Sequence, residues 1–331
     1  MREVFRRRAP LTALAAIAAF LPAACASFPS PFSRAPEFWA FAAPWDPRSA
    51  ASIARHAAQL DAVITGWIAL DSTTTRPLEL YADTAALPSG TRRFALVTSW
   101  HGDRFHPATI RALASNATVL GETAGAIAQR LRRGGYEAVV VDFENHTPAD
   151  FGALLSVLRA VADSARAHGV EDISIAIPAT DTAGYPAEPL LRIADRVVVM
   201  LYDEHWSRSE PGPIASPQWV RNAIGVRLGE VGPSRLVAAL PLYGYRWPRD
   251  SAAVTIGWDD AQRDAARGGV LLSREPATYT LRARTPDWDL WIADAALVDT
   301  LVKDLRSAGV RRFAFWRLGA EDPAVWQVLK R

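Results

Sequence analysis

Apolar positions in this chain gather into short runs separated by longer segments with helical spacing. Runs of strand length occupy 37–43 (EFWAFAA), 62–70 (AVITGWIAL), 93–99 (RFALVTS), 136–143 (YEAVVVDF), 173–177 (ISIAI), 195–202 (DRVVVMLY), 235–241 (RLVAALP) and 312–318 (RFAFWRL). Helical patterns fill most of the intervals, at 47–60, 106–115, 122–133, 148–168, 187–194, 216–228 and 294–308. Pro148 and Pro323 sit at plausible first-turn positions. Near-continuous apolar strands alternating with helices argue for a parallel sheet covered on both faces. Eight of them predict closure into an α/β fold, the (β/α)8 TIM barrel. The stretch 242–311 is too long for one loop and helix. It predicts a small insertion between strands 7 and 8, with a short strand pair near 278–292 (TYTLRARTPDWDLWI). No heptads, internal repeats or low-complexity tracts interrupt this pattern.

Composition agrees with a globular chain: 331 residues, 50% hydrophobic and 22% charged, which excludes a disordered or collagen-like one. The formal net charge is +2. Arg2, Arg6, Arg7 and Arg8 against Glu3 outweigh that surplus, so the body is close to neutral. A neutral body lacks the basic field of a nucleic-acid binder.

The start of the chain reads as an export signal. Arg6–Arg8 form a basic region, and residues 11–21 (LTALAAIAAFL) form an apolar stretch too short to span a membrane as a helix. Two cleavages compete. Ala24-Cys25-Ala26 fits the small-x-small rule of ordinary signal peptidase. Leu21-Pro22-Ala23-Ala24-Cys25 looks like a degenerate bacterial lipobox that would leave a lipidated Cys25. The expected organisation is a signal or lipoprotein signal over 1–26, a Pro/Ser-rich tether over 27–36 and one barrel over 37–331. The product would be periplasmic, bound to the envelope through Cys25, or secreted, and a monomer is expected. Cys25 is the only cysteine, so the body holds no disulfide and no cysteine metal cluster.

Chemistry in such barrels sits where strands end. The fourth run ends Val139-Val140-Val141-Asp142-Phe143-Glu144-Asn145. Side chains alternate along a strand, so Val140, Asp142 and Glu144 share one face and Val139, Val141 and Phe143 take the other. Two carboxyls about 6–7 Å apart at a barrel mouth repel each other and resist desolvation, so one tends to keep a proton, as a general acid must. A pair of helix N-cap residues introducing 148–168 is the alternative. The sixth run closes on Tyr202, Asp203, Glu204, His205 and Trp206, the seventh on Tyr243, Tyr245 and Trp247, and the eighth carries Trp316. Aromatic faces beside carboxyls suit stacking on a pyranose ring, with core packing the competing reading for Tyr245 and Trp247. The six histidines show no HExxH or comparable ligand spacing, and no GxSxG, P-loop or GxGxxG is present. No metal or cofactor is expected, and His146 is expected on a solvated loop.

Taken together and in order, four segments resemble glycoside hydrolase family 18, the chitinase-like barrels. The family strand Asp-Gly-x-Asp-x-Asp-x-Glu is similar to Glu137-Ala138-Val139-Val140-Val141-Asp142-Phe143-Glu144. VVMLYDEHW is similar to its Met-x-Tyr-Asp segment, LPLYGYRW to its seventh strand, and FAFWRLGAEDP to its closing Trp strand. The resemblance covers roughly 37–331. It looks closest to spore-cortex-lytic glycosidases and to family 18 domains fused to polysaccharide deacetylases.

The resemblance implies a retaining, substrate-assisted glycosidase acting on β-linked N-acetylglucosamine-containing glycans: peptidoglycan, chitin-like oligomers or an exopolysaccharide. It assigns Glu144 as general acid, Asp142 and Tyr202 to the acetamido group, Asp203 to the same sugar and Trp316 to the subsite floor, with Tyr243 and Trp206 as further sugar contacts. This family is an exception to the two-carboxylate scheme. The chain departs from the family pattern at Glu137 and Val140, where the family has Asp. A non-catalytic sugar-binding barrel is the alternative, and retention of Glu144 argues against it, since binding alone needs no acid there; a structural envelope lipoprotein with a vestigial cleft is a third.

Overall fold

The computed structural model describes residues 35–329, so the signal segment, Cys25 and nearly all of the tether lie outside it. Eight parallel strands close on themselves: β1 Glu37–Phe41, β2 Ala62–Leu70, β3 Arg92–Thr98, β4 Ala138–Asp142, β5 Asp172–Pro178, β6 Arg196–Met200, β7 Leu236–Pro241 and β8 Arg312–Trp316. Each pairs with its neighbours in sequence. β1 pairs with β8, through Phe38↔Phe313, and with β2, through Ala40↔Val63, which closes the ring. All eight predicted strands are present, the second with the bounds read from the sequence.

Alternation along each strand builds two layers. Trp39, Ile64, Phe94, Leu96, Val140, Val198 and Val237 fill the interior. Val139, Val141 and Phe143 face outward into the core shared with the helices. Every residue of β2 is buried, which is why it reads as an unbroken apolar run. Each such Val, Leu, Ile or Phe contributes about 1.5–3 kcal/mol on burial. The N-terminal floor is closed by charge. Glu37 pairs with Arg92 and with Arg312 (2.9 Å) and accepts from the Trp39 indole (2.8 Å).

The helices start on local signals. α1 (Pro47–His56) follows N-cap Asp46. α2 (Pro107–Ala114) is followed by α3 (Ala117–Arg133), which begins five residues before the predicted start because Asn116 caps it. α4 (Phe151–Ala167) is preceded by a 3-10 turn, Pro148–Asp150, in which Asp150 accepts from the Thr147 N–H at 3.0 Å. Asp142 and Glu144 take no part in starting α4, so the capping reading of that pair falls away. α5 is only Ala187–Leu190, and α6 spans Pro217–Val231 behind N-cap Ser216.

The insertion between β7 and β8 is larger than the predicted strand pair. It is a five-stranded antiparallel sheet in the order Val254–Ile256, Gly244–Pro248, Trp288–Ile292, Leu281–Arg284, Ser273–Arg274, with α7 (Trp258–Arg267). Gly244 is the residue that lets two of these strands meet. A Cβ there would stand 2.0 Å from the Trp291 carbonyl oxygen. α8 (Ala295–Ser307) then leads to β8, and α9 (Val325–Val328) follows it.

Candidate active site

The C-terminal mouth of the barrel opens into a cavity of about 690 Å3. Asp142, Glu144, Tyr202, Asp203 and Trp316 all line it. The register explains their meeting. Asp142 ends β4 opposite Thr98 of β3, whose hydroxyl donates to Asp142 Oδ2 at 3.4 Å. Val140 lies one inward step below, opposite Leu96 and wholly buried, as the alternation requires. Glu137 is at the far end of the same strand, exposed and accepting from the Arg93 N–H at 3.2 Å, so it cannot reach the cavity.

Asp142 and Glu144 face the same cavity, and each carboxyl acts on the titration of the other. Desolvation pushes Asp142 up to about 7, against the lowering effect of Glu144 and Thr98. Glu144 is raised well above the ordinary range, first by desolvation and then by the charges of Asp142 and Asp203. A glutamic acid that keeps its proton near neutrality can give it to a leaving oxygen.

Asp203 follows Tyr202 in a left-handed backbone conformation, φ 61°. Two tyrosines hold it. The Tyr243 hydroxyl donates to Asp203 Oδ1, and Tyr245 donates to the same oxygen at 3.1 Å. Desolvation raises Asp203 and these two bonds work against the rise. Asp203 is itself exposed to solvent, which softens that rise. Next along the chain, Glu204 accepts from Ser216 through backbone (2.6 Å) and hydroxyl (2.9 Å), which ties this turn to the start of α6. The Tyr202 hydroxyl makes no hydrogen bond among the described residues and is free to donate into the cavity. Trp316 packs edge-on against Phe41 at 5.3 Å.

Two residues expected to touch sugar stand elsewhere. Tyr243 is buried, 2% exposed, and sits behind Asp203 because its hydroxyl is spent there. Trp206 lies outside the cavity lining, where Arg208 stacks on its ring 4.5 Å from the centroid. Tyr245 and Trp247 are core, packed with Tyr243, Trp291 and Ile214. His146 is not on a solvated loop. It is 4% exposed, packs against Tyr185, and neither ring nitrogen has a partner.

Sequence reasoning missed the wall opposite Tyr202. Trp67 of β2 lines the cavity together with Trp45, Tyr81, Trp100 and Phe105 from the segments that follow β1, β2 and β3. Trp45 and Trp100 are 43% and 38% exposed. Their signal was position: each follows its strand within a few residues. Arg317 holds Trp45 in place, lying 5.4 Å above its ring and pairing with Asp46 at 3.1 Å. The cavity lining carries three carboxyls and no arginine or lysine. Among the described residues no group of three or more His, Cys, Asp or Glu could hold a metal ion.

The fold is that of the chitinase-type (β/α)8 barrels. A class V chitinase from Pseudomonas fluorescens superposes with a TM-score of 0.78 at 21% identity, over 89% of this chain and 98% of that one. The spore cortex-lytic enzyme SleL of Bacillus cereus superposes with a TM-score of 0.76 at 18% identity, over 89% of this chain and 74% of that one. In sequence, the chain is 23% identical over 269 residues to YdhD of Bacillus subtilis, named a sporulation-specific glycosylase; the match spans 75% of this chain and 64% of that protein. The chain spans about three fifths of the length of the curated relatives it matches. No family model matches the chain.

Proposed function

We propose that the protein is a retaining glycoside hydrolase that cleaves β-linked N-acetylglucosamine-containing glycans by substrate-assisted catalysis. The observation that carries this reading is the pair of buried carboxyls, Asp142 and Glu144, lining one aromatic-walled cavity. Glu144 protonates the glycosidic oxygen. The substrate's acetamido carbonyl attacks the anomeric carbon and forms an oxazolinium ion. Asp142 holds the acetamido N–H and offsets the positive charge, Tyr202 donates to the acetamido oxygen, and Asp203 contacts the same sugar. Trp316 stacks beneath the ring. Glu144, now a carboxylate, takes a proton from the water that opens the oxazolinium, and configuration is retained.

The charge of the lining favours one part of the substrate range. Three carboxyls with no arginine or lysine give an anionic substituent no permanent cation to pair with, and an unpaired buried charge is costly. Uncharged N-acetylglucosaminyl chains therefore suit the cavity better than strands with free lactyl carboxylates or acidic peptides. The basic and apolar N-terminal segment supports export, with Cys25 as the lipid-bearing residue if the lipobox is used.

The test is turnover of a chromogenic chitobioside by the wild type and by Glu144→Gln, with a thiazoline analogue of N-acetylglucosamine as inhibitor. Turnover lost in the variant and blocked by the thiazoline is expected. Binding of N-acetylglucosamine oligomers without turnover would instead make the barrel a sugar-binding protein. Palmitate incorporation that vanishes in Cys25→Ser tests the anchor, and a mature N-terminus at Ser27 would show ordinary cleavage.

A further inference from the structure

Tyr185 lies between β5 and α5 and is 1% exposed. Its hydroxyl donates to the Phe143 carbonyl oxygen at 2.9 Å and accepts from the His146 backbone N–H at 3.2 Å. One oxygen thus ties the chain one residue before Glu144 and two residues after it. Between the two ties, Asn145 is held in the left-handed region, φ 64°. Residues other than glycine adopt this region seldom, asparagine more readily than most, and here the two ties flank it. The His146 ring, buried and without a protein hydrogen-bond partner, packs against Tyr185.

Tyr185 is fixed from behind. Arg227 of α6 is wholly buried, and its guanidinium serves backbone oxygens of one short loop. Nη1 donates to the Tyr185 carbonyl at 3.0 Å, Nε to Ala179 at 3.1 Å, and Nη2 to Pro178 at 2.6 Å and Asp181 at 2.8 Å. Glu230 balances the charge at 2.9 Å. The loop also presses on the Glu144 turn directly. A Cβ on Gly184 would stand 2.9 Å from the His146 carbonyl oxygen and 2.4 Å from Asp181 Oδ2.

We propose that Tyr185 is a positioning residue for Glu144: it locks the 143–146 turn so that the acid reaches the glycosidic oxygen, and Arg227 in turn sets Tyr185. The inference rests on reading Glu144 as the general acid. It needs no contact between Tyr185 and sugar. A carboxyl on a relaxed turn would still bind substrate but would spend less time in reach of it. A displacement of about 1 Å in a catalytic group can cost about 100-fold in rate.

The experiment compares wild type, Tyr185→Phe and Gly184→Ala. Each is assayed for kcat and KM on chitobioside, and Glu144 is titrated by carboxyl-13C NMR, with melting curves as the folding control. Tyr185→Phe keeps the ring and removes only the hydroxyl. Gly184→Ala keeps the hydroxyl and pushes the loop against His146. In both, kcat is expected to fall about 10- to 100-fold with KM within about twofold of wild type. The Glu144 midpoint is expected to fall toward the ordinary carboxylate range, because a loosened turn admits water. A kcat within about threefold of wild type, or a Glu144 midpoint that does not move, overturns the proposal. If the wild type itself turns nothing over, the functional reading fails separately, and the Glu144 midpoint alone decides the role of Tyr185.

Discussion

The Tyr243 hydroxyl donates to Asp203 Oδ1, the oxygen that Tyr245 also serves at 3.1 Å, so both tyrosines act on the cavity through one carboxylate. They stabilise its charged form against the desolvation that raises it. Tyr243→Phe removes one donor, so Asp203 holds its proton to higher pH. Its charge on Glu144 is then lost earlier as pH falls. The acid limb of the kcat profile should move up by about one unit, with a smaller change in KM. A profile that superimposes on wild type would show that Asp203 does not depend on Tyr243.

Asp142 carries a stability cost that can be read from its titration. Its ordinary value is 3.8 and burial lifts it to about 7. Between those values the folded state binds more protons than the unfolded state, so stability falls as pH rises through this window. Asp142→Asn removes the titrating group. The variant should melt higher than wild type at pH 7, with the gap closing toward pH 4, and it should be nearly inactive. A melting gap that does not change with pH would mean that the amide gains by packing, not by relief of charge.

The strands, their order and the paired acids were legible because each rests on a short-range rule. Alternation placed Val140 inside and Val139 outside without reference to any other strand. The insertion was less legible. Its strand at Gly244–Pro248 follows β7 almost directly, so LPLYGYRW reads as a single strand end, and only the pairing of Tyr245 with Trp291 shows that a second sheet has begun. The assignment of Tyr243 to sugar failed for the same reason. Position after a barrel strand does not say which way a side chain faces once the chain has entered another sheet. His146 was misjudged because its burial comes from Tyr185, 39 residues away.

Trp45 and Trp100 are exposed members of the aromatic wall, and their loss should be felt by long substrates first. A stacked ring contributes about 0.5–1.5 kcal/mol beyond its buried area. Trp100→Ala and Trp45→Ala should each raise KM for oligomers about 5- to 10-fold, with kcat on a chitobioside close to wild type. Melting temperatures should change little, because both rings are partly in solvent. Equal losses on short and long substrates would place these tryptophans at the reacting sugar instead.

Val140 sits directly below Asp142 on the inward face, wholly buried beside Leu96 in the barrel interior. Val140→Asp would put a third carboxyl about 6–7 Å from Asp142. Coupled carboxyls titrate as a set, so the new group should take up part of the proton load now carried by Asp142 and Glu144. Asp142 would then be free to turn toward Glu144 and back during the cycle, and the acid limb of the rate profile should shift or kcat should rise. The opposing effect is desolvation. The interior offers no cation at this depth, so the added acid will stay protonated at neutral pH or lower the melting temperature. The pH–rate profiles of both proteins, with melting curves beside them, separate the two effects. A folded variant with an unchanged profile would mean that position 140 does not communicate with the carboxyl pair above it.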